Sequence, residues 1–140
     1  STRCTGGLKL EKIRQDFEQS NIFKYLGMKV EKVEKGSVTL KLPIIPEHWN
    51  VINTVHGGVY ATILDTAMGF TTRSIGYDEV TTLEMSVHFL KAIQEGTIYA
   101  KGNVIHENRS TVLVEADLFD EDGDRLAHST GTFRAVKFDK

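Results

Sequence analysis

Between Gly57 and Ser74 the chain carries a long segment whose only charged side chain before Arg73 is Asp65. Val59, Ile63, Ala67 and Phe70 recur at spacings of three and four, and Tyr60, Leu64 and Met68 form a second stripe. That periodicity predicts an α-helix, and a helix apolar nearly all round must bury most of its circumference. In a chain of 140 residues such a helix is covered only if the remaining elements wrap around it. Gly76-Tyr77-Asp78 ends the helix with turn chemistry.

The elements left to do the wrapping read mostly as strands. Met28, Val30 and Val33 lead to a turn at Gly36, after which Val38, Leu40 and Leu42 alternate with Thr39 and Lys41. Residues 43 to 55, bounded by Pro43 and Pro46 at their start, read as a loop. Beyond the helix the pattern predicts strands over Val80 to Lys91, Thr97 to Glu107, Ser110 to Phe119 and Arg125 to Val136. Ahead of the first hairpin, Leu10, Ile13 and Phe17 share one face of a short helix over Leu8 to Ser20. A brief apolar stretch, Asn21 to Leu26, then stops at Gly27. Strands and helices do not alternate as in βαβ units, so the expected class is α+β. The expected architecture is a long central helix wrapped by a curved antiparallel sheet of about six strands. Residues 8–140 are expected to form a single domain, with residues 1–7 a disordered or cloning-derived leader.

Composition removes several function classes. A net charge of -2 gives no global basic field for a nucleic-acid backbone. The single Cys4 cannot form an internal disulfide. No apolar run approaches the ~20 residues that a helical membrane span needs, and a cytoplasmic location is the expectation. His48, His56, His88, His106 and His128 are scattered without metal-ligand spacing, so no metal is expected.

The helix opens on Gly57-Gly58, although glycine costs ~1 kcal/mol relative to alanine in a helix. Two explanations stand. The glycines let the helix start close against the sheet, or they bare the first-turn N–H groups to a ligand. Those groups are unpaired within the helix and sit at the positive end of its dipole, as an oxyanion hole requires. Asp65 likewise is either a carboxylate held by neighbouring polar groups for structure, or a general base or nucleophile. Asp65 lies seven residues after Gly58, about 10 Å along one helix at ~1.5 Å per residue. Reacting groups need contacts of ~3 Å. Two antiparallel copies of the helix around a two-fold axis would bring the glycines of one chain to the acid of the other. The spacing therefore predicts an obligate oligomer if both features serve one reaction.

Thr54-Val55-His56-Gly57-Gly58, followed by Asp65-Thr66-Ala67 in an apolar helix, resembles the hot-dog-fold acyl-CoA thioesterases. The similarity is to the branch holding the phenylacetate-pathway thioesterases and thioesterase superfamily member 2, and it spans about residues 20 to 136. The resemblance implies that Gly57 and Gly58 supply a backbone N–H to the thioester carbonyl. It implies that Asp65 of the partner subunit activates water or attacks as a nucleophile. Asn50 and His56 fall where related enzymes place polar groups beside the thioester, and Thr82 matches a Ser/Thr that positions the water. Arg109-Ser110-Thr111 is similar to a turn that meets the nucleotide of coenzyme A, although Asn108 stands where many relatives have glycine. Each has a plainer alternative: Asn50 caps a turn, Thr82 belongs to a polar strand face with Glu84, Ser86 and His88, and Arg109 is a solvated turn residue. Lys91 and Lys101 are equal candidates for the phosphates.

The expected reaction is hydrolysis of a medium- or long-chain fatty or aryl acyl-CoA to the free acid and coenzyme A. Coenzyme A enters only as part of the substrate, with no other cofactor. A homodimer, and a tetramer built as a dimer of dimers, are the expected assemblies. Related hydratases and dehydratases pair an Asp with a His five residues on, or a His with an acid fourteen on; both patterns meet Phe70 here. An acyl-CoA-sensing regulator would need a DNA-binding module for which too few residues precede the fold. A non-catalytic acyl-CoA or lipid carrier is the remaining alternative.

Overall fold

The computed structural model describes residues 2–138. The helices are α1 (Thr2–Glu18), α2 (Asn21–Leu26) and α3 (Gly57–Ser74). The strands are β1 (Lys29–Glu34), β2 (Ser37–Pro43), β3 (Glu79–Phe89), β4 (Thr97–Glu107), β5 (Thr111–Phe119) and β6 (Arg125–Val136). They form one six-stranded sheet in the order β1-β2-β4-β5-β6-β3, antiparallel at every step. This is the expected α+β hot-dog arrangement.

The strand order shows what the long helix does. β2 and β3 are consecutive strands but lie four positions apart in the sheet, about 19 Å at ~4.8 Å per strand. Eighteen residues of α3 reach about 27 Å, enough to carry the chain from one side of the sheet to the other. In crossing, α3 buries Tyr60, Ile63, Leu64, Ala67, Met68 and Phe70. They meet the inward residues of the strands, among them Leu40, Ile98, Val114, Leu118 and Phe133. β5 displays the alternation most clearly, with Val112, Val114, Ala116 and Leu118 buried and their neighbours half-exposed.

Two sheet glycines set how close the helix lies. A Cβ at Gly102 would collide with the Thr71 hydroxyl and stand 3.1 Å from the Ala67 carbonyl oxygen. A Cβ at Gly131 would stand 3.2 Å from the Met68 methyl and 3.3 Å from the Glu84 carbonyl oxygen. Both are places where only a bare Cα lets two backbones approach.

Several boundaries depart from the sequence pattern. α1 starts at Thr2, where the pattern starts it at Leu8. β3 ends at Phe89 rather than Lys91, because the N–H groups of Leu90 and Lys91 both turn to the Leu126 carbonyl, at 2.9 and 3.1 Å. The loop after β2 holds a 3-10 turn, Pro46–His48, and an isolated bridge between Trp49 and Val55. His48 organises it. The buried ring accepts from Ile45 N–H at 3.1 Å and donates to the Leu26 carbonyl at 2.8 Å.

The two sheet edges differ. β1 is six residues long, irregular, and carries Lys29, Glu31, Lys32 and Glu34, which discourages further pairing. β3 is eleven residues long, borders only β6, and exposes Leu83 and Phe89 to 56% each. No helix among the described residues is long and apolar enough to cross a membrane.

Gly102→Ala is expected to lower unfolding stability by about 1–3 kcal/mol, since the blocking Ala67 carbonyl belongs to the backbone of α3 and cannot step aside. Urea denaturation beside the wild type measures it; an unchanged midpoint would contradict the close approach.

Candidate active site

The start of α3 explains both glycines. His56 is the N-cap residue, with φ -62° and ψ 137°. Its ring Nδ1 accepts a hydrogen bond from Gly58 N–H at 2.7 Å, which requires Nδ1 to be unprotonated. A Cβ at position 58 would stand 2.9 Å from that nitrogen, so Gly58 is what lets the histidine fold back over the helix end. The same bond occupies Gly58 N–H, so of the two glycines expected to supply a backbone N–H, Gly57 is the one whose amide stays open. Gly57 N–H has no acceptor among the described residues. A Cβ at position 57 would stand 3.3 Å from the Phe89 ring.

Gly57 lines a cleft of about 390 Å³ together with Asn50, Thr54, Tyr60, Phe89 and Lys91. Asn50 serves the loop: its Oδ1 accepts from Ile52 N–H at 3.0 Å and Thr54 N–H at 3.1 Å. Its Nδ2 donates to Thr54 Oγ1 at 2.9 Å. The turn-capping alternative thus describes its contacts, while its place in the cleft keeps it beside Gly57. Tyr60 donates its hydroxyl to the Lys91 carbonyl at 3.0 Å, and burial pushes that phenol above its ordinary pKa.

Lys91 is less free than the sequence implies. Its ammonium bonds Asp124 at 2.9 Å and lies 3.5 Å from Asp120; these bonds, Asp124 first, hold its pKa above the ordinary lysine value. A phosphate would have to displace two carboxylates. Arg109 and Ser110 are exposed in the β4–β5 turn and line neither this cleft nor the one holding Asp65. Lys101 is exposed on β4.

Asp65 is half-buried on α3. Thr82 Oγ1 donates to its Oδ1 at 2.7 Å. Thr82 sits where the β3–β6 register shifts between Thr82 and Glu84, a bulge that re-aims a strand side chain. Oδ2 of Asp65 has no hydrogen-bond partner among the described residues. The carboxylate opens into a second cleft of about 580 Å³. Sequence reasoning did not find this cleft's far wall, formed by Phe17 and Arg73; the pairing of Arg73 with Asp16 has no signal at a separation of 57 residues. Among the described residues no group of three or more His, Cys, Asp or Glu could hold a metal ion.

Gly57 and Asp65 are eight residues apart on one straight helix, about 12 Å, and face different clefts. The free amide and the carboxylate lie in separate clefts.

A long helix packed across one six-stranded antiparallel sheet is the hot-dog arrangement of thioesterases. The chain belongs to the thioesterase superfamily, whose family model matches residues 52–127, and it is a thioesterase. It is 28% identical over 114 residues to the 1,4-dihydroxy-2-naphthoyl-CoA hydrolase of Listeria monocytogenes, covering 80% of this chain and 93% of that one. Among solved structures, a thioesterase family protein from Silicibacter pomeroyi superposes with a TM-score of 0.84 at 25% identity, covering 91% of this chain and 98% of the other. The E. coli PaaI protein, from the phenylacetic acid degradation operon, shares the fold with a TM-score of 0.86 at 18% identity over 91% and 94% of the two chains.

His56→Ala is expected to cost about 1 kcal/mol of stability through loss of the cap. Gly58→Ala should destabilise the wild type, where the new Cβ displaces the ring, yet stabilise the His56→Ala background, where helix propensity alone remains. Thermal unfolding of the four proteins reads this change of sign, and additive effects would contradict the His56–Gly58 bond.

Proposed function

We propose that the chain hydrolyses acyl-CoA thioesters as a homodimer whose two sites each combine Gly57 of one subunit with Asp65 of the other. The observation that carries this reading is the division of the site. One helix presents an unused amide and an unused carboxylate oxygen, about 12 Å apart. The free edge of β3 supports the assembly: a second β3 laid against it extends the sheet across a two-fold axis and covers Leu83 and Phe89. The half-exposed face of α3 bearing Gly58, Thr62, Asp65 and Thr66 then lies between subunits. The Listeria relative, a naphthoyl-CoA hydrolase by name, supports a coenzyme A thioester of an aryl acid as substrate; a medium-chain fatty acyl group is the other class this reading admits.

In this reading Gly57 N–H donates to the thioester carbonyl oxygen, at the positive end of α3. Thr82 holds Oδ1 of Asp65, so Oδ2 faces the water. Asp65 takes a proton from that water as its oxygen bonds to the carbonyl carbon, and the Gly57 amide stabilises the oxyanion. The C–S bond then breaks, the carbonyl re-forms, and the proton on Asp65 passes to the departing thiolate. His56 acts one step back by capping α3 and taking Gly58 N–H, which leaves Gly57 as the helix-terminal donor.

Asp65→Asn is expected to lower kcat by about 100-fold or more in an assay of free-thiol release, and Thr82→Ala by a smaller factor. Gly57→Pro removes the N–H at the one helix position that favours proline, after a His56 backbone already extended enough for it, and should cost about 100- to 1,000-fold. Mixing the Asp65→Asn and Gly57→Pro chains then tests the shared site. Half of the dimers are mixed and hold one intact site of two, so about a quarter of wild-type turnover returns. No recovery after verified subunit exchange would place both groups in one chain. Tight acyl-CoA binding without turnover would overturn the hydrolase reading.

A further inference from the structure

The cleft around Asp65 is larger than a reacting thioester needs. It continues from Asp65 and Thr82 past Val80 and Phe133 to Phe17 and Arg73. Asp65 and Arg73 both line it from α3, eight residues apart or about 12 Å along the helix, the reach of an extended acyl chain of roughly ten carbons. The cleft's lining is mixed: Thr66, Thr81 and Thr82 stand beside an apolar strip of Val80 and Phe133, which closes around Gly69, where an added Cβ would stand 3.6 Å from Phe133 and 3.8 Å from Val80.

The far end is charged and fixed. The Arg73 side chain is only 16% exposed. Its Nη1 donates to Asp16 Oδ2 at 3.0 Å and its Nε to the Tyr77 carbonyl at 3.3 Å. The guanidinium lies 6.0 Å over the Phe17 ring, which is itself stacked on Phe70 at 4.3 Å. Lys12 grips Asp16 from the other side at 2.6 Å. The hydrogen bond from Lys12, joined by that from Arg73, holds the Asp16 carboxyl below its ordinary pKa. Asp78 and Glu79 stand at the same end. A methyl terminus pushed into this wall would strip water from carboxylates and give no hydrogen bond back.

We propose that the Arg73–Asp16 pair, braced by Phe17, is a length stop that restricts the enzyme to acyl groups short enough to end before it. The stop rests on the hydrolase reading for its biological meaning, but its action is on binding and is measured without turnover. Arg73 is here a specificity determinant, remote from the reacting atoms.

The test is titration calorimetry of the dimer with S-alkyl-CoA thioethers from butyl to hexadecyl, which cannot be hydrolysed. In the wild type, affinity is expected to climb with each methylene to about decyl and then fall by about tenfold at tetradecyl. Arg73→Met keeps an unbranched side chain and removes the charge, and affinity should continue to climb through tetradecyl. Arg73→Lys, which retains a cation, should restore the break. Should Arg73→Met not fold, Asp16→Ala weakens the same wall from α1. An affinity that climbs unbroken to hexadecyl in the wild type would overturn the length stop. A break at the same chain length in Arg73→Met and Asp16→Ala would overturn it equally. Thiol release from the matching acyl-CoAs separates the two ideas: a length break in binding with no hydrolysis at any length refutes the hydrolase and leaves the stop standing.

Discussion

The burial of α3 against the concave face of the sheet is the interaction on which the rest depends. Its side chains supply the central layer of the core, and its length carries the chain from β2 to the far edge, where β3 then pairs with β6. The glycines at 102 and 131 set the separation of helix and sheet. Because the helix is held along its whole length, its N-terminus and Asp65 have fixed positions relative to the strands. Thr82 then reaches the Asp65 carboxylate from a bulge in β3. Loosening the helix, as at the Gly102 contact, would therefore move the Gly57 amide and Asp65 together relative to the strands.

The helix N-terminus is set by local chemistry rather than by its dipole alone. Of the first-turn N–H groups, one is consumed by the His56 ring and one is left without an acceptor. A dipole would attract an anion to the whole turn; the cap narrows this to a single donor. Gly58 is required by the histidine it admits, and Gly57 lies where a Cβ would press on Phe89. Each glycine thus has a steric reason, and the amide that the ligand-binding explanation needs is that of Gly57.

Much of the fold was legible because it follows periodicity. The bounds of α3, β4 and β6 coincide with those of the apolar pattern, since each segment carries its apolar residues at helix or strand period and is flanked by turn residues. Asp65 stood out because a carboxylate in an apolar helix needs a reason, and the distance to Gly57 follows from helix rise alone. Other contacts were not legible because their partners are remote in sequence. Lys91 reads as a free cation, but the β5–β6 loop folds its acids onto it. Asn50 differs, since its partners Ile52 and Thr54 are local: its amide closes its own loop while it lines the cleft beside Gly57. Arg73 reads as the charged end of a helix, and only the docking of α1 turns it into the wall of a cleft.

The sequence by itself determined that there is one buried helix, that strands must wrap it, and that an amide and an acid on that helix are too far apart to meet. These are consequences of hydrophobic period and helix rise, which need no knowledge of neighbours. Only the tertiary structure decided what orients the acid and how far the cleft beyond it extends. Those depend on hydrogen bonds and contacts between residues 17 to 57 positions apart, from Thr82–Asp65 to Arg73–Asp16, and no local pattern encodes a partner that arrives only when the chain has folded.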